Sequence, residues 1–141
     1  MTAPRILVDT NVLVRHLTQD HAGQALAAGR LLAASDRGEW RLVVLEPVLA
    51  ECVFVLESFY EQPRGAIAAA LQRLTNGAGI EVARGGRYQD ALQRYAAGKL
   101  HFVDCLLAAC AAAEQIPLAS FDRGLAAGRE WPAWDWRRLG G

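Results

Sequence analysis

The chain of 141 residues lacks an excess of either charge, because Lys plus Arg and Asp plus Glu both number 15. Lys99 is its only lysine, so arginine supplies nearly all of the positive charge. This balance excludes the strongly basic surface of proteins that hold nucleic acid by bulk electrostatics. A nucleic-acid substrate is still allowed, since a bound divalent cation and a local arginine cluster can attract phosphates.

Cysteine and long apolar runs are also scarce. Cys52, Cys105 and Cys110 are odd in number and form no C-x-x-C pair, which argues against a disulfide framework and a zinc site. No apolar run approaches the roughly 18 residues of a membrane span, and no secretory leader precedes the first predicted strand. We therefore expect a soluble cytoplasmic protein with buried free thiols and no membrane partner.

Short apolar runs alternate with helical patterns along the whole chain. Four strands are predicted at residues 5–8, 42–45, 80–82 and 117–120, with residues 130–139 as a candidate fifth edge strand. Helices are predicted to end near residue 17 and to cover residues 22–37, 47–60, 63–76, 87–97 and 102–113. Strands that alternate with helices favour a parallel sheet covered on both faces. The fold class is therefore α/β, and the absence of a repeat or linker predicts a single domain over residues 1–141.

Apolar side chains mark the predicted inner faces of two helices. Leu26, Leu31 and Leu32 define that of the second helix. For the helix at residues 47–60, the stripe includes Cys52 and Phe59. Helical spacing predicts that these side chains pack inward.

Four acidic residues stand in apolar surroundings. Asp9 and Asp122 each follow a predicted strand, and the carboxyl ends of parallel strands meet at the edge where ligands bind. Glu51 falls on or beside the apolar stripe of its helix, and Asp104 opens an alanine-rich helix. Ionised carboxylates are costly to bury unless they are paired or bind a cation. Each acid is therefore a local cap, or together they hold a hard divalent cation such as Mg²⁺ or Mn²⁺, and we favour the cation.

Four motifs occur in an order and spacing that resemble the PIN domains, and specifically the VapC toxins of bacterial toxin–antitoxin pairs. The resemblance extends from Ile6 to about Asp122. The motifs are residues 8–14 with the sequence VDTNVLV, residues 50–56 with the sequence AECVFVL, residues 102–104 with the sequence FVD, and residues 120–122 with the sequence SFD.

The resemblance implies a three-layer sandwich with a five-stranded parallel sheet of order 3-2-1-4-5. It also implies a Mg²⁺- or Mn²⁺-dependent endoribonuclease with Asp9, Glu51, Asp104 and Asp122 as the catalytic acids. Asp9, Asp104 and Asp122 would bind the metal, and Glu51 would ligate it or orient the attacking water. By the same resemblance, Asn11 and Ser120 would orient the first and last acids.

The partners that the resemblance implies are an RNA substrate (tRNA, rRNA or mRNA), a cognate antitoxin and a second copy of the chain. Two other functions stay open: a catalytically silent PIN scaffold that acts through protein contacts, and another metal-dependent phosphohydrolase. An aspartyl-phosphate phosphatase would need a D-x-D motif, and Asn11 occupies its second acidic position.

Some residues have no single interpretation from the sequence. Arg15, His16, Arg64 and Arg123 lie near the motifs, where they would either contact the RNA backbone or face solvent. The tail contains Trp131, Trp134 and Trp136, which would either pack in the core and at the sheet edge or contact a partner.

Overall fold

The structure, a computed structural model, describes residues 3–83, 86–126 and 129–139. Two compact units divide the chain, Met1–Gly86 and Arg87–Gly141. Each unit has its own helices and buried side chains, and each is described by itself.

A parallel sheet of three strands forms the centre of the first unit. The strands are β1 (Arg5–Leu7), β2 (Arg41–Leu45) and β3 (Ile80–Ala83), in the order β1-β2-β3. The central strand β2 buries three consecutive apolar side chains, as expected of a parallel strand covered on both faces. The parallel α/β architecture is thus confirmed, and this order agrees with the 3-2-1 part of the predicted sheet.

Within residues 3–83, four helices follow or connect these strands. They are α1 (Thr10–Thr18), α2 (Ala22–Asp36), α3 (Glu46–Ser58) and α4 (Arg64–Thr75). Helix α1 packs against α2 and α3. Pro47 occupies the first turn of α3, where its missing N–H costs no hydrogen bond. The predicted helices of this unit are confirmed to within a few residues at their ends.

Helices dominate the second unit. They are α5 (Tyr88–Ala97), α6 (Phe102–Glu114), the short α7 (Arg123–Ala126) and a 3₁₀ helix (Trp136–Leu139). Helix α5 packs against α6, where the buried ring of Tyr95 meets Phe102 edge to face. The other end of α6 contributes to a small core that the following segment completes. Its buried members are Ala108, Ala111, Leu118, Leu125 and Trp131.

The fourth and fifth strands of the predicted sheet are not found among the described residues. Residues 116–120 form no strand: Pro117 has no N–H for a ladder, and Leu118 packs into the small core of α6. Residues 136–139 are a 3₁₀ helix because Asp135 accepts a hydrogen bond from the Arg137 N–H at 3.0 Å, which closes a tight turn. The five-stranded order is therefore reduced, in the described part of the chain, to three strands.

Two side chains predicted to pack inward are exposed instead. The buried line of α2 runs through Ala25, Ala28 and Leu32, so Leu26 lies one position outside it. Phe59 is the C-cap of α3, where its ring lies beyond the buried line of the helix and is exposed. Within the described ranges, no helix is both long and apolar enough to cross a membrane.

Candidate active site

Asp9 follows β1 after one residue and lies at the carboxyl end of that strand. Its backbone is extended, and its Oδ1 accepts a hydrogen bond from the Thr10 N–H at 2.8 Å. It therefore caps α1, as Asp often does at this position. The carboxylate is nevertheless exposed, and a carboxylate has more acceptor positions than one cap uses. The cap and a cation ligand are compatible roles.

Glu51 is exposed on α3, so the expectation that it packs with the apolar stripe is wrong. The buried line of α3 passes through Leu49, Cys52, Val53 and Leu56, and Glu51 precedes Cys52 by one residue. No hydrogen bond or salt bridge to its carboxylate occurs within residues 3–83, 86–126 and 129–139. Its carboxylate thus faces solvent with all of its acceptor positions available.

The charges of Asp9 and Glu51 both act on the thiol of Cys52. The pKa of Cys52 is raised to about 12, first by burial, then by the negative charge of Glu51, then by that of Asp9. An anion disfavours a nearby thiolate, so both carboxylates lie close enough to one buried sulfur to act on it. The first unit therefore brings two of the four predicted acids into one neighbourhood.

A fifth acid, Glu46, was missed in the sequence. It follows β2 directly, whereas Asp9 follows β1 after one residue, and it is the first residue of α3. With Leu45, Pro47 and Ala83 it lines a cleft of about 400 Å³ at the carboxyl ends of β2 and β3. The signal was an acid at the end of an apolar run, the same signal that identified Asp9.

Asp104 and Asp122 lie in the second unit. Asp104 is half-buried in the first turn of α6, where free N–H groups favour an anion. Asp122 is exposed, and its Oδ1 accepts a hydrogen bond from the Gly124 N–H at 2.7 Å. A Cβ at Gly124 would be 3.3 Å from the Leu100 side chain, which places this turn beside the residues that lead into α6.

The two polar residues predicted to support the site have different surroundings. The Ser120 hydroxyl accepts a hydrogen bond from the Asp122 N–H at 3.0 Å, which holds the backbone of the acid. Asn11 is exposed on α1 and lines a cleft of about 370 Å³ between α1 and α2. Arg15 lines the same cleft and is bound to Asp20 through Nη1 at 2.8 Å, so its charge is already partly compensated.

The donor set suits a hard divalent cation in its chemistry. Among the residues described, no group of three or more His, Cys, Asp or Glu side chains could hold a metal ion. Magnesium commonly uses one or two carboxylates and completes its coordination with water and substrate phosphates. Asp9 and Glu51 are exposed carboxylates of the kind that Mg²⁺ uses. Ligation of one cation by the four predicted acids stays a prediction.

A model of the PIN domain family matches residues 6–129, a range that includes all four predicted acids together with Asn11 and Ser120. No curated protein matches the chain with a significant score. PIN domains are typically metal-dependent nucleases.

Proposed function

The chain belongs to the PIN domain family, and from this premise we propose that it is a Mg²⁺- or Mn²⁺-dependent endoribonuclease that acts as the toxin of a toxin–antitoxin pair. The observation that carries the proposal is the position of two exposed carboxylates in the matched family region, Asp9 at the carboxyl end of β1 and Glu51 on α3, both near the buried Cys52. A carboxylate beyond the carboxyl end of a parallel strand, such as Asp9, is a position for a cation and a phosphate ligand.

Each acid has a role that its surroundings support. Asp9 binds the cation with the oxygen that does not cap α1. Asp104 and Asp122 complete the ligand set, the first from the start of α6 and the second from the turn that Ser120 holds. Glu51 orients the attacking water or serves as a further ligand, because its carboxylate is exposed and makes no described hydrogen bond.

The reaction is hydrolysis of a phosphodiester in which water attacks phosphorus in line with the leaving 3′ oxygen. The products are a 5′-phosphate and a 3′-hydroxyl, and no covalent intermediate with the protein is required. The chemistry that the cation supplies when bound is a lowered pKa of water and stabilisation of charge on the phosphoryl group. The protein's carboxylates hold the reacting groups in place and accept the proton of the attacking water.

The partners proposed for this function are tRNA, rRNA or mRNA as substrate, an antitoxin that inhibits the enzyme, and a second copy of the chain. The protein would act in the cytoplasm, where these RNAs are found. The near-neutral total charge means that local arginines and the cation, rather than the whole surface, attract the RNA.

The test is cleavage of single-stranded RNA by the purified full chain in Mn²⁺, with mapping of the new 5′ ends. Asp9→Asn is expected to abolish cleavage while leaving the fold intact, because Asn caps a helix about as well as Asp does. Asp36→Asn, in an exposed position of α2, is the matched control and should cleave at the wild-type rate. Equal cleavage by Asp9→Asn and the control would contradict the proposal.

Metal binding is tested separately from cleavage. Any ligand that binds the native state selectively raises the melting temperature, so Mn²⁺ should raise it for the wild type. The rise should be absent or much smaller in Glu51→Gln and Asp9→Asn and intact in Asp36→Asn. If no RNA is cleaved and Mn²⁺ does not change the melting temperature, the chain is instead a catalytically silent PIN scaffold.

A further inference from the structure

Phe121 lies between Ser120 and Asp122 with its ring turned out to solvent. The turn is held by two hydrogen bonds, from the Asp122 N–H to the Ser120 hydroxyl and from the Gly124 N–H to Asp122 Oδ1. The Phe121 side chain is 89% exposed, the highest value among the large apolar side chains that the structure describes as exposed. A single exposed apolar side chain is common on protein surfaces, whereas a group of exposed rings marks a binding surface.

The ring of Phe121 stacks on that of Trp136. Their centroids are 4.7 Å apart and their planes differ by 6°. Trp134 meets Trp136 edge to face, with centroids 5.9 Å apart, and so supports it from the side. Trp136 is itself 42% exposed. We call the stacked rings of Phe121 and Trp136 the aromatic platform.

The platform is held in place by its neighbours along the chain. Trp131 is buried in the small core of α6, and Glu130 forms two hydrogen bonds with Arg94 of α5 at 2.8 and 2.9 Å. Asp135 closes the turn that begins the 3₁₀ helix carrying Trp136. Because these contacts order the tail in advance, a ligand that stacks on the platform would lose little additional conformational entropy.

The charges beside the platform favour a nucleic acid over an apolar partner. Arg123 and Arg137 are exposed on the two segments that carry the rings. Arg137 is paired with Asp135, whereas no ion pair of Arg123 occurs in the described part of the chain. Exposed rings interleaved with arginines are typical of surfaces on which bases stack while guanidinium groups contact phosphates.

We propose that the aromatic platform of Phe121 and Trp136 stacks an unpaired base of single-stranded RNA adjacent to the Asp122 turn. The inference rests on the proposed nuclease function for the identity of its ligand. An unpaired base is required because a base within a duplex has both faces covered. The platform thus selects single-stranded RNA and sets which nucleotide lies beside Asp122.

The test is binding of a fluorescently labelled eight-nucleotide RNA to the full chain in EDTA, so that binding is measured without cleavage. A set of the same RNAs, each with one abasic position, removes one base at a time. For the wild type, one abasic position should weaken binding by roughly 5- to 100-fold, the range seen for loss of one stacked base. The same strand in a duplex should bind less tightly.

Phe121→Leu keeps an apolar side chain and removes the aromatic face, and Phe121→Tyr keeps the face. Phe121→Leu should bind the intact RNA roughly 5- to 100-fold more weakly and no longer distinguish it from the abasic set. Phe121→Tyr should bind and discriminate as the wild type does. Phe121→Tyr keeps the stack on Trp136 and should melt at the wild-type temperature, whereas Phe121→Leu loses that stack and should melt slightly lower but still fold.

In the binding measurements, three results would overturn the proposal: equal wild-type affinity for intact and abasic RNA, discrimination that persists in Phe121→Leu, or no measurable binding of any single-stranded RNA at millimolar concentration. A dimer that dissociates in Phe121→Leu while RNA binding is unchanged would show instead a contact between two copies.

Cleavage in Mn²⁺ separates this inference from the proposed function. If the wild-type chain distinguishes intact from abasic RNA in EDTA but cuts no RNA, the result would support base stacking on the platform and contradict the nuclease function. If Phe121→Leu cuts RNA with the wild-type KM and at the wild-type sites, the result would support the nuclease function and contradict base stacking on the platform.

Discussion

Gly79 lies directly against the main chain of Ser35. A Cβ built on Gly79 would be 2.3 Å from the Ser35 carbonyl oxygen and 2.7 Å from its carbonyl carbon, distances that real contacts do not reach. Gly79 also accepts a hydrogen bond from the Leu42 N–H at 2.8 Å, next to the pairing of β2 with β3. The end of α2 can therefore approach the start of β3 only because residue 79 has no side chain.

Gly79→Ala should destabilise the protein by about 1–3 kcal/mol or more, because the atoms it would meet are backbone and cannot rotate away. The matched control is Gly29→Ala, which places a Cβ in open space within α2. That change should stabilise the protein by about 0.5–1 kcal/mol, the difference between Gly and Ala in a helix. Urea unfolding should show a lower free energy of unfolding for Gly79→Ala and a higher one for Gly29→Ala. The same change in both variants would contradict the close approach of Gly79 to Ser35.

Tyr60→Phe should raise the pKa of Asp20. The Tyr60 hydroxyl donates a hydrogen bond to Asp20 Oδ2, and this bond is the largest cause of the lowered pKa of Asp20, ahead of its bonds to Arg15 and Thr18. Carbon-13 NMR titration of the Asp20 carboxyl should show the rise. An unchanged Asp20 pKa would mean that the hydroxyl does not bind the carboxylate in solution.

The hydrogen bond from Tyr60 to Asp20 also makes the stability of the protein depend on pH. Since the pKa of Asp20 is lower in the folded state, the stabilisation is present above the ordinary Asp pKa and is lost as the pH falls through the folded value. Tyr60→Phe should therefore lower stability most near neutral pH and least in acid. Tyr88→Phe in α5 is a control that leaves Asp20 and its partners unchanged.

The helices of this fold are predictable from the sequence because their signals are local. Pro47 and Asn76 mark helix ends by their own backbone chemistry, and the structure places α3 and α4 within a few residues of the prediction. A strand has no such local sign, since it exists only through a hydrogen-bonded neighbour. Leu118 shows the difference: its apolar run predicts a strand, and the chain buries it against α6 instead.

The positions of single side chains in the site were harder to predict. Glu51 and Cys52 are adjacent in sequence, so a small error in the orientation of the helical stripe decides which one is buried. Contacts such as Tyr60 with Asp20 and Phe121 with Trp136 join residues far apart in the chain. No local pattern predicts them, because they depend on how the elements pack.

Alkylation of the native, metal-free protein by iodoacetamide should modify Cys110 before Cys52 and Cys105. Cys110 is half-buried, whereas the other two thiols are buried. Burial also raises the pKa of Cys52 to about 12, so almost none of it is the reactive thiolate at neutral pH.

Mass spectrometry of tryptic peptides gives the order in which the three cysteines are modified. Rapid modification of Cys52 in the folded chain would contradict its place in the core of α3, and modification in urea, where all three should react, is the control.

Glu130→Gln should destabilise the second unit modestly, by under about 1 kcal/mol, because exposed salt bridges contribute little. Arg94 binds both oxygens of Glu130 and lowers its pKa, first through these hydrogen bonds and then through its charge.

The stabilisation by the Arg94–Glu130 pair is thus present above the ordinary Glu pKa and is lost as the pH falls through the lower folded value. Urea unfolding should show a larger difference between wild type and Glu130→Gln at pH 7 than at pH 3. Glu114→Gln, an exposed acid at the end of α6, is the control and should change stability at neither pH. A Glu130→Gln effect that is equal at both pH values would mean that packing of the side chain, rather than its charge, holds the tail to α5.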